Sequence, residues 1–167
     1  EFDYPPDGVG KPRGMLIQTP DDVARLAPFE IEKAERPRQR IESVRKMAQA
    51  VGATHSVLGW VEGPIAEYAD LRGVENTFMD LIDKPEMYVQ AAGILIDNAI
   101  RFARAQIDAG ADMIGTGDAV ASLINPAMYE QYVLPFEKKL IDAIHGAGAT
   151  VKLHICGNIA NNIALMA

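Results

Sequence analysis

The stretch AGADMIGTG, residues 109–117, decides the fold class of this 167-residue sequence. Residues 109–111 are small and break a long helical pattern, whereas residues 112–117 are interpreted as a short strand. Asp118 follows that strand directly, and a second helical pattern begins a few residues later. A strand that follows one helix and precedes another is typical of folds in which the two elements alternate.

The sequence on the N-terminal side of this stretch shows the same succession of strand and helix. Pro85 and Glu86 open the longest predicted helix, because proline fits the first helical position and an acid favours a helix N-terminus. Residues 55–61 form another apolar run rich in β formers, which we interpret as a buried strand ended by residues 62–64. Before it, a helical pattern closes at Gly52.

The sequence on the C-terminal side continues the alternation. Asn125 and Pro126 provide a capping side chain and a proline at the first helical position, and they predict a helix that ends at Gly146. Residues 150–156 form a third predicted strand. We expect a further helix to begin just after Asn158.

Alternating strands and helices predict a parallel sheet with right-handed crossover connections, and therefore an α/β fold. Doubly wound sheets and (β/α)₈ barrels both satisfy this pattern, and in both of them the carboxyl ends of the strands carry the chemistry. We treat residues 1–167 as a single domain. Residues 1–14, rich in Pro, Gly and Asp, are expected to form an irregular arm or loop.

Composition limits the possible partners. The sequence is 49% hydrophobic, which is enough to bury a core, and its net charge of −7 argues against nucleic acid or an anionic membrane surface as a partner. No apolar run approaches the ~20 residues that span a bilayer. A single cysteine cannot form an internal disulfide, so we expect a reducing, cytoplasmic location. Because the chain begins at Glu1 and ends within an apolar run, we expect a fragment.

Polar residues cluster at the ends of the three predicted strands. Glu62 follows the first strand, Asp118 follows the second, and His154 and Cys156 lie in the third. Since the carboxyl ends of parallel strands meet at one edge of a sheet, this placement predicts an active site. Two residues apart on a strand, His154 and Cys156 point to the same side, where their nitrogen and sulfur atoms could bind Zn²⁺. A small buried cysteine beside a hydrogen-bonded core histidine is the alternative interpretation.

The two carboxylates are predicted to support such a site. Glu62 or Asp118 could complete the metal site or orient a ligand, and Asp118 is preferred because it follows Gly117, where backbone can approach a ligand closely. A carboxylate that caps a turn or forms an ion pair at the rim is the alternative for either residue. His55 and His145 are interpreted as structural.

Five short motifs are spaced along the chain: Gly63-Pro64-Ile65, Asp70-Leu71-Arg72-Gly73, Met79-Asp80-Leu81, Gly110-Ala111-Asp112, and the stretch from Ser122 to Pro135. Together they resemble the uroporphyrinogen decarboxylase superfamily, most densely between Trp60 and Asn158. This resemblance implies a (β/α)₈ barrel about twice as long as this chain. The chain would then supply roughly three to four of the eight βα units, which is a partial TIM barrel.

The motif His154-Ile155-Cys156-Gly157 resembles the cobalamin-dependent methyltransferase branch of that superfamily. The resemblance implies transfer of a methyl group between a corrinoid, either methylcobalamin or a corrinoid protein, and a thiol such as coenzyme M or a similar acceptor. It also implies that His154 and Cys156 are two ligands of a Zn²⁺ ion that activates the thiol, with a third cysteine ligand beyond Ala167. Glu62 and Asp118 are then the predicted catalytic residues.

Two alternative functions stay open at this point. The first is cofactor-free decarboxylation of uroporphyrinogen in porphyrin and haem biosynthesis, which the His154/Cys156 pair argues against. The second is a non-catalytic fragment that binds a corrinoid protein without turning over.

Overall fold

The computed structural model describes residues 2–3, 11–12, 14–31 and 33–166. Two short strands near the N-terminus, β1 (Phe2–Asp3) and β2 (Lys11–Pro12), pair with each other in antiparallel orientation. Most of the irregular arm predicted over residues 1–14 lies outside the described residues.

A three-stranded parallel sheet forms the centre of the fold. Its strands are β3 (Leu58–Glu62), β4 (Met113–Gly117) and β5 (Thr150–His154), in the order β3-β4-β5. The α/β prediction is therefore confirmed, and all three strands lie where the apolar runs predicted them. The third strand ends at His154, so Cys156 lies two residues beyond it and not within it, as the sequence had suggested.

Seven α-helices lie in the described ranges, and prolines at their first turns open several of them because a proline there loses no hydrogen bond. The helices are α1 (Pro20–Ala24), α2 (Glu35–Val51), α3 (Pro64–Arg72), α4 (Val74–Asp83), α5 (Pro85–Asp108), α6 (Pro126–Met128) and α7 (Leu134–Gly146). No helix in the described ranges combines the length and the apolar character needed to cross a membrane.

The single helix predicted from Asn125 is interrupted. The Asn125 side chain accepts a hydrogen bond from the Met128 backbone N–H, as the sequence predicted, but a π-helical turn, Tyr129–Val133, separates α6 from α7. Pro135 supplies the physical reason, since it has no N–H with which to continue the regular α-helical ladder.

The helix predicted just after Asn158 is wrong for the described residues. Turns follow Asn158, and only a 3₁₀ turn, Ile163–Leu165, forms beyond them. The buried Asn162 side chain donates to the backbone carbonyls of Ala121 and Ile124 at 3.3 and 3.2 Å. These tertiary hydrogen bonds hold the segment against the loop that follows β4.

Two clusters of buried side chains form the core. In the first, Tyr68 of α3 and Tyr88 of α5 are fully buried, and their rings meet edge to face with centroids 5.2 Å apart. In the second, Val61 and Ile114 project from one face of the sheet and pack against α5 and α7, for example at Leu140. The opposite face of the sheet carries polar side chains.

Candidate functional site

The face of the sheet opposite the core carries Trp60, Glu62, Gly117 and His154. Because side chains alternate along a strand, Trp60 and Glu62 of β3 lie on the same face, and the register places Glu62 beside Gly117 and Gly117 beside His154. The Glu62 and His154 backbones are therefore two strand spacings, about 9.5 Å, apart. The structure brings Glu62 and His154 to one edge of the sheet, as the sequence predicted.

The His154 and Cys156 side chains converge. His154 Nε2 lies 3.0 Å from Cys156 Sγ, and both residues are exposed. The chain turns directly after them at Gly157, whose φ of +102° is a conformation that favours glycine. A Cβ at Gly157 would also lie 2.9 Å from the Ser122 hydroxyl oxygen, so the loop is packed closely against the segment after β4.

The Trp60 side chain lies next to both Glu62 and His154. Its indole lies over Gly115 and Gly117, and a Cβ at Gly117 would lie 2.8 Å from the ring atom Cζ2. The indole N–H donates to Glu62 Oε1 at 2.8 Å, and the ring centroid lies 6.1 Å from that of His154. Glycines on β4 therefore leave room for an aromatic ring that contacts both predicted site residues.

Glu62 is partly buried beside this ring. Burial raises the pKa of the Glu62 carboxyl, and the hydrogen bond from Trp60 opposes that rise by stabilising the carboxylate. Its second oxygen lies close to the β4 backbone, since a Cβ at Gly117 would be 2.6 Å from Glu62 Oε2. Glu62 is thus a carboxylate held in a fixed orientation at the edge of the site.

Asp118 lies elsewhere. Its carboxyl group is fully buried, and Oδ1 accepts a hydrogen bond of 2.7 Å from the backbone N–H of Ala66, in the first turn of α3. A Cβ at Gly63 would lie 2.5 Å from Asp118 Cγ, so glycine there allows the close approach. The Asp118 backbone N–H donates to the His154 carbonyl at 3.0 Å. Asp118 therefore holds the loop after β3 against the end of β5, with its carboxyl directed at α3 and not at the His154/Cys156 pair.

A second buried carboxyl group faces Asp118. Burial raises the pKa of Asp118 well above its usual range, and the negative charge of Glu137 adds to the effect. Burial likewise raises the pKa of Glu137, which accepts a hydrogen bond from the Tyr129 hydroxyl. Among the residues that the structure describes, Asp118 Oδ2 and Glu137 Oε1 are buried oxygen atoms without a hydrogen-bond partner. Burial without a donor favours the neutral, protonated form of a carboxyl group.

A pocket of about 450 Å³ is lined in part by Trp60. It lies between α2, α5 and the end of β3, and it mixes aromatic walls such as Phe29 and Phe102 with charged groups that include Arg40, Glu62 and Glu67. Trp60 and Glu62 therefore belong both to this pocket and to the edge that carries His154.

Glu67 gives this region a pH-dependent stability. Burial, with the nearby carboxylates of Asp70 and Glu62, raises the pKa of Glu67 from 4.5 to about 7. Folding then favours the protonated form, so the stabilisation is complete below pH 4.5 and is lost as the pH rises through about 7. Between pH 5 and pH 8, ionisation of Glu67 should lower the free energy of unfolding of the unsubstituted chain by about 2 kcal/mol. We expect the Glu67→Gln protein, whose side chain cannot ionise, to lack this decrease.

Urea unfolding of both proteins at pH 5 and pH 8 measures this difference. Glu75→Gln, at an exposed position of α4, is the matched control and should behave as the unsubstituted chain does. Equal pH dependence in the Glu67→Gln and Glu75→Gln proteins would contradict the assignment.

The donor atoms of His154 and Cys156 fit zinc. Bond lengths of about 2.0 and 2.3 Å at a tetrahedral angle place the two donors about 3.5 Å apart, close to the 3.0 Å found here. Within the ranges that the structure describes, no group of three or more His, Cys, Asp or Glu side chains is arranged to hold a metal ion. The described residues therefore bring together one nitrogen and one sulfur atom of the types that zinc accepts.

Sequence reasoning placed His154, Cys156 and Glu62 near one edge of the sheet, where the structure has them, but it did not single out Trp60, Glu67 or Glu137. The period-2 spacing of Trp60 and Glu62 was available as a signal, since it places both on one face of β3. Glu67 and Glu137 carried no such signal, because their burial depends on which helices pack together.

Comparisons with known proteins agree with the sequence motifs. The family model described as uroporphyrinogen decarboxylase (URO-D) matches residues 1–167. Methylcobamide:CoM methyltransferase MtbA of Methanosarcina acetivorans is 27% identical over 153 residues, which are 90% of this chain and 44% of that protein. Uroporphyrinogen decarboxylase of Nocardia farcinica is 29% identical over 150 residues, which are 84% of this chain and 40% of that protein.

The fold comparison gives the same result. A methyltransferase from Methanosarcina mazei matches with a TM-score of 0.73 and 27% sequence identity, covering 84% of this chain and 44% of that chain. The predicted partial (β/α)₈ barrel is thereby confirmed as the fold class. The chain spans less than half the length of these relatives.

Proposed function

The chain belongs to the uroporphyrinogen decarboxylase family, and from this membership we propose that it is part of a zinc-dependent methyltransferase that moves a methyl group between a corrinoid and a thiol. The observation that carries the proposal is the convergence of His154 Nε2 and Cys156 Sγ at the carboxyl edge of a parallel sheet. Similarity to relatives named methylcobamide:CoM methyltransferases supports the same chemistry.

We assign a role to each residue at this edge. His154 and Cys156 are the proposed zinc ligands from this chain, and bound zinc would supply a low pKa for the acceptor thiol. Trp60 restricts the orientation of the His154 ring, and Glu62 offers a fixed carboxylate that can accept a proton. Asp118 is a positioning residue, because its hydrogen bonds connect the loop after β3 to the end of β5.

The proposed reaction is a displacement at the methyl carbon. The thiol loses its proton, a carbon–sulfur bond forms, and the carbon–cobalt bond breaks with both electrons left on cobalt. The exposed edge that carries His154 and Cys156 leaves room for a large corrinoid to approach, so a corrinoid protein and a small thiol are the proposed partners. A free, exposed thiol persists most readily in a reducing compartment, which supports the proposed cytoplasmic location.

An absorbance assay tests the proposal. The protein is incubated with zinc, methylcobalamin and 2-mercaptoethanesulfonate (coenzyme M), and loss of the methylcobalamin spectrum is followed anaerobically. We expect consumption that requires both the protein and zinc, and that ends with the methylated thiol as product. Equal rates with and without the protein would contradict the proposal.

The same preparation separates the alternative functions. Metal-free conversion of uroporphyrinogen to products that have lost carboxyl groups would favour the decarboxylase, whose relatives are also similar to this chain. Inactivity in both assays, with corrinoid-protein binding retained, would favour a non-catalytic binding role.

A further inference from the structure

The 3₁₀ turn Ala119–Leu123, which follows β4, lies against the segment that follows β5. Asp118, directly before the turn, donates its backbone N–H to the His154 carbonyl at 3.0 Å. Farther along the chain, the buried Asn162 side chain donates to two backbone carbonyls in and directly after the turn, at 3.3 and 3.2 Å. Residues 154–162 are therefore attached to this turn at both ends.

Gly157 contacts the turn at Ser122. A Cβ at Gly157 would lie 2.9 Å from Ser122 Oγ and 3.2 Å from Ser122 Cβ, so the position has no room for a methyl group. The Ser122 hydroxyl donates to the Ala119 carbonyl at 2.8 Å, which fixes the side chain within the turn. The backbone of Gly157 also needs glycine, because its φ of +102° is strained for other residues. Space and backbone conformation therefore both require glycine directly after Cys156.

These contacts matter for Cys156, because the sheet does not hold it. β5 ends at His154, so Cys156 lies beyond the last residue of the parallel ladder, and yet its Sγ lies 3.0 Å from His154 Nε2. A loop residue keeps one position only when its contacts outweigh the conformational entropy that fixing its backbone costs. Asp118 fixes the backbone on the N-terminal side, at the His154 carbonyl. Ser122 fixes it on the C-terminal side, at Gly157.

We propose that Ser122 is a positioning residue of the candidate site. It acts through Gly157, which it keeps in place, and thereby holds Cys156 Sγ beside His154 Nε2. Asp118 and Ser122 belong to one short segment after β4, so both donor atoms are held from a single support. The consequence for zinc binding rests on the proposed function, whereas the separation of the two side chains in the metal-free protein does not.

Nuclear Overhauser effects (NOEs) test this separation directly in the metal-free protein. The chain has one cysteine and three histidines, so ¹³C labelling of these two residue types leaves few signals to assign. The NOE between the His154 ring protons and the Cys156 β protons falls with the inverse sixth power of their distance. Ser122→Gly removes the side chain that Gly157 contacts. We expect the NOE to fall to about half or less, because an unsupported loop opens more often.

Two further variants define the role of the Ser122 side chain. Ser122→Ala keeps the Cβ and loses the hydrogen bond to Ala119, so we expect an intermediate NOE. This variant also covers the case in which Ser122→Gly does not fold. Ser43→Ala is the matched control, because the Ser43 hydroxyl likewise donates to a backbone carbonyl, that of Gln39, at 2.9 Å. Ser43 lies on α2, and its replacement should leave the NOE unchanged.

Moving the methyl group across the contact should restore the pair. Gly157→Ala alone should reduce the NOE strongly, since its Cβ would meet Ser122 and its φ is strained. Ser122→Gly in the same chain vacates the space that this Cβ needs. We expect the double variant to regain about half of the signal that Gly157→Ala loses, because residues in contact have coupled effects. Losses that simply add would overturn the proposal.

The consequence for metal binding is measured separately. In proteins that bind zinc, we expect Ser122→Gly to weaken Zn²⁺ affinity about tenfold, as loss of an outer partner does. A folded Ser122→Gly protein with an unchanged NOE, and with only its unfolding midpoint lowered, would reduce Ser122 to a packing residue and overturn the proposal. Failure of the unsubstituted chain to bind zinc would contradict the proposed function alone, since the NOE measurements use the metal-free protein.

Discussion

Replacing Cys156 by alanine is expected to abolish stoichiometric zinc binding and to slow methylcobalamin consumption by at least about 100-fold. The reason is the donor set: without Sγ, the described residues offer the ion only the His154 nitrogen. The loss should not come from unfolding, because Cys156 is exposed and exposed substitutions cost little stability. Elemental analysis and the absorbance assay measure the two effects.

His145→Ala is the matched control for this experiment. His145 lies exposed in the last turn of α7, away from the polar face of the sheet, so its removal should leave metal content and rate unchanged. A Cys156→Ala protein that keeps its zinc and its rate would rule out the assignment of Cys156 as a ligand.

Replacing Arg72 by methionine is expected to lower the free energy of unfolding by about 3–5 kcal/mol. Arg72 makes two hydrogen bonds to Asp80, from Nε to Oδ2 at 2.7 Å and from Nη2 to Oδ1 at 3.1 Å. Tyr68 donates to the same carboxylate at 2.8 Å, and the Asp80 side chain is only 4% exposed. Methionine would leave that buried charge without its cation. The midpoint and slope of urea unfolding measure the loss.

Two further variants define the origin of this effect. Arg45→Met breaks an ion pair with Glu42 that is about half exposed, and it should cost about 0–1 kcal/mol. The double variant Arg72→Met/Asp80→Asn should recover much of the stability lost by Arg72→Met, because the remaining group is neutral. A single and a double variant of equal stability would contradict the role of the buried charge.

The sheet could be predicted from the sequence because the patterns that indicate its strands and the flanking helices are local. The runs around Val61, Ile114 and Leu153 alternate with helices that begin at proline and end at glycine, and these patterns depend only on neighbours along the chain. The His154/Cys156 pair was equally readable, since two-residue spacing near a strand end keeps both side chains on one side even though the strand stops at His154.

The remaining site features depend on contacts between distant residues. Asp118 looked like a residue of the open edge, and only the docking of α3 shows that its carboxyl meets the Ala66 N–H. Asp118 and Glu62 stay predicted site residues, with Asp118 restricted by its burial to acting through others.

The π-helical turn Tyr129–Val133 has a consequence for how this part of the chain tolerates changes in length. In a continuous α-helix, the Tyr129 and Glu137 side chains would point about 80° apart around the helix axis. The single π-helical turn holds one extra residue, which brings the two directions to within about 20° of each other. The hydrogen bond between them therefore depends on a residue count. Deleting any one residue of the turn would rotate Glu137 away from Asp118, so insertions and deletions here should be selected against more strongly than most substitutions.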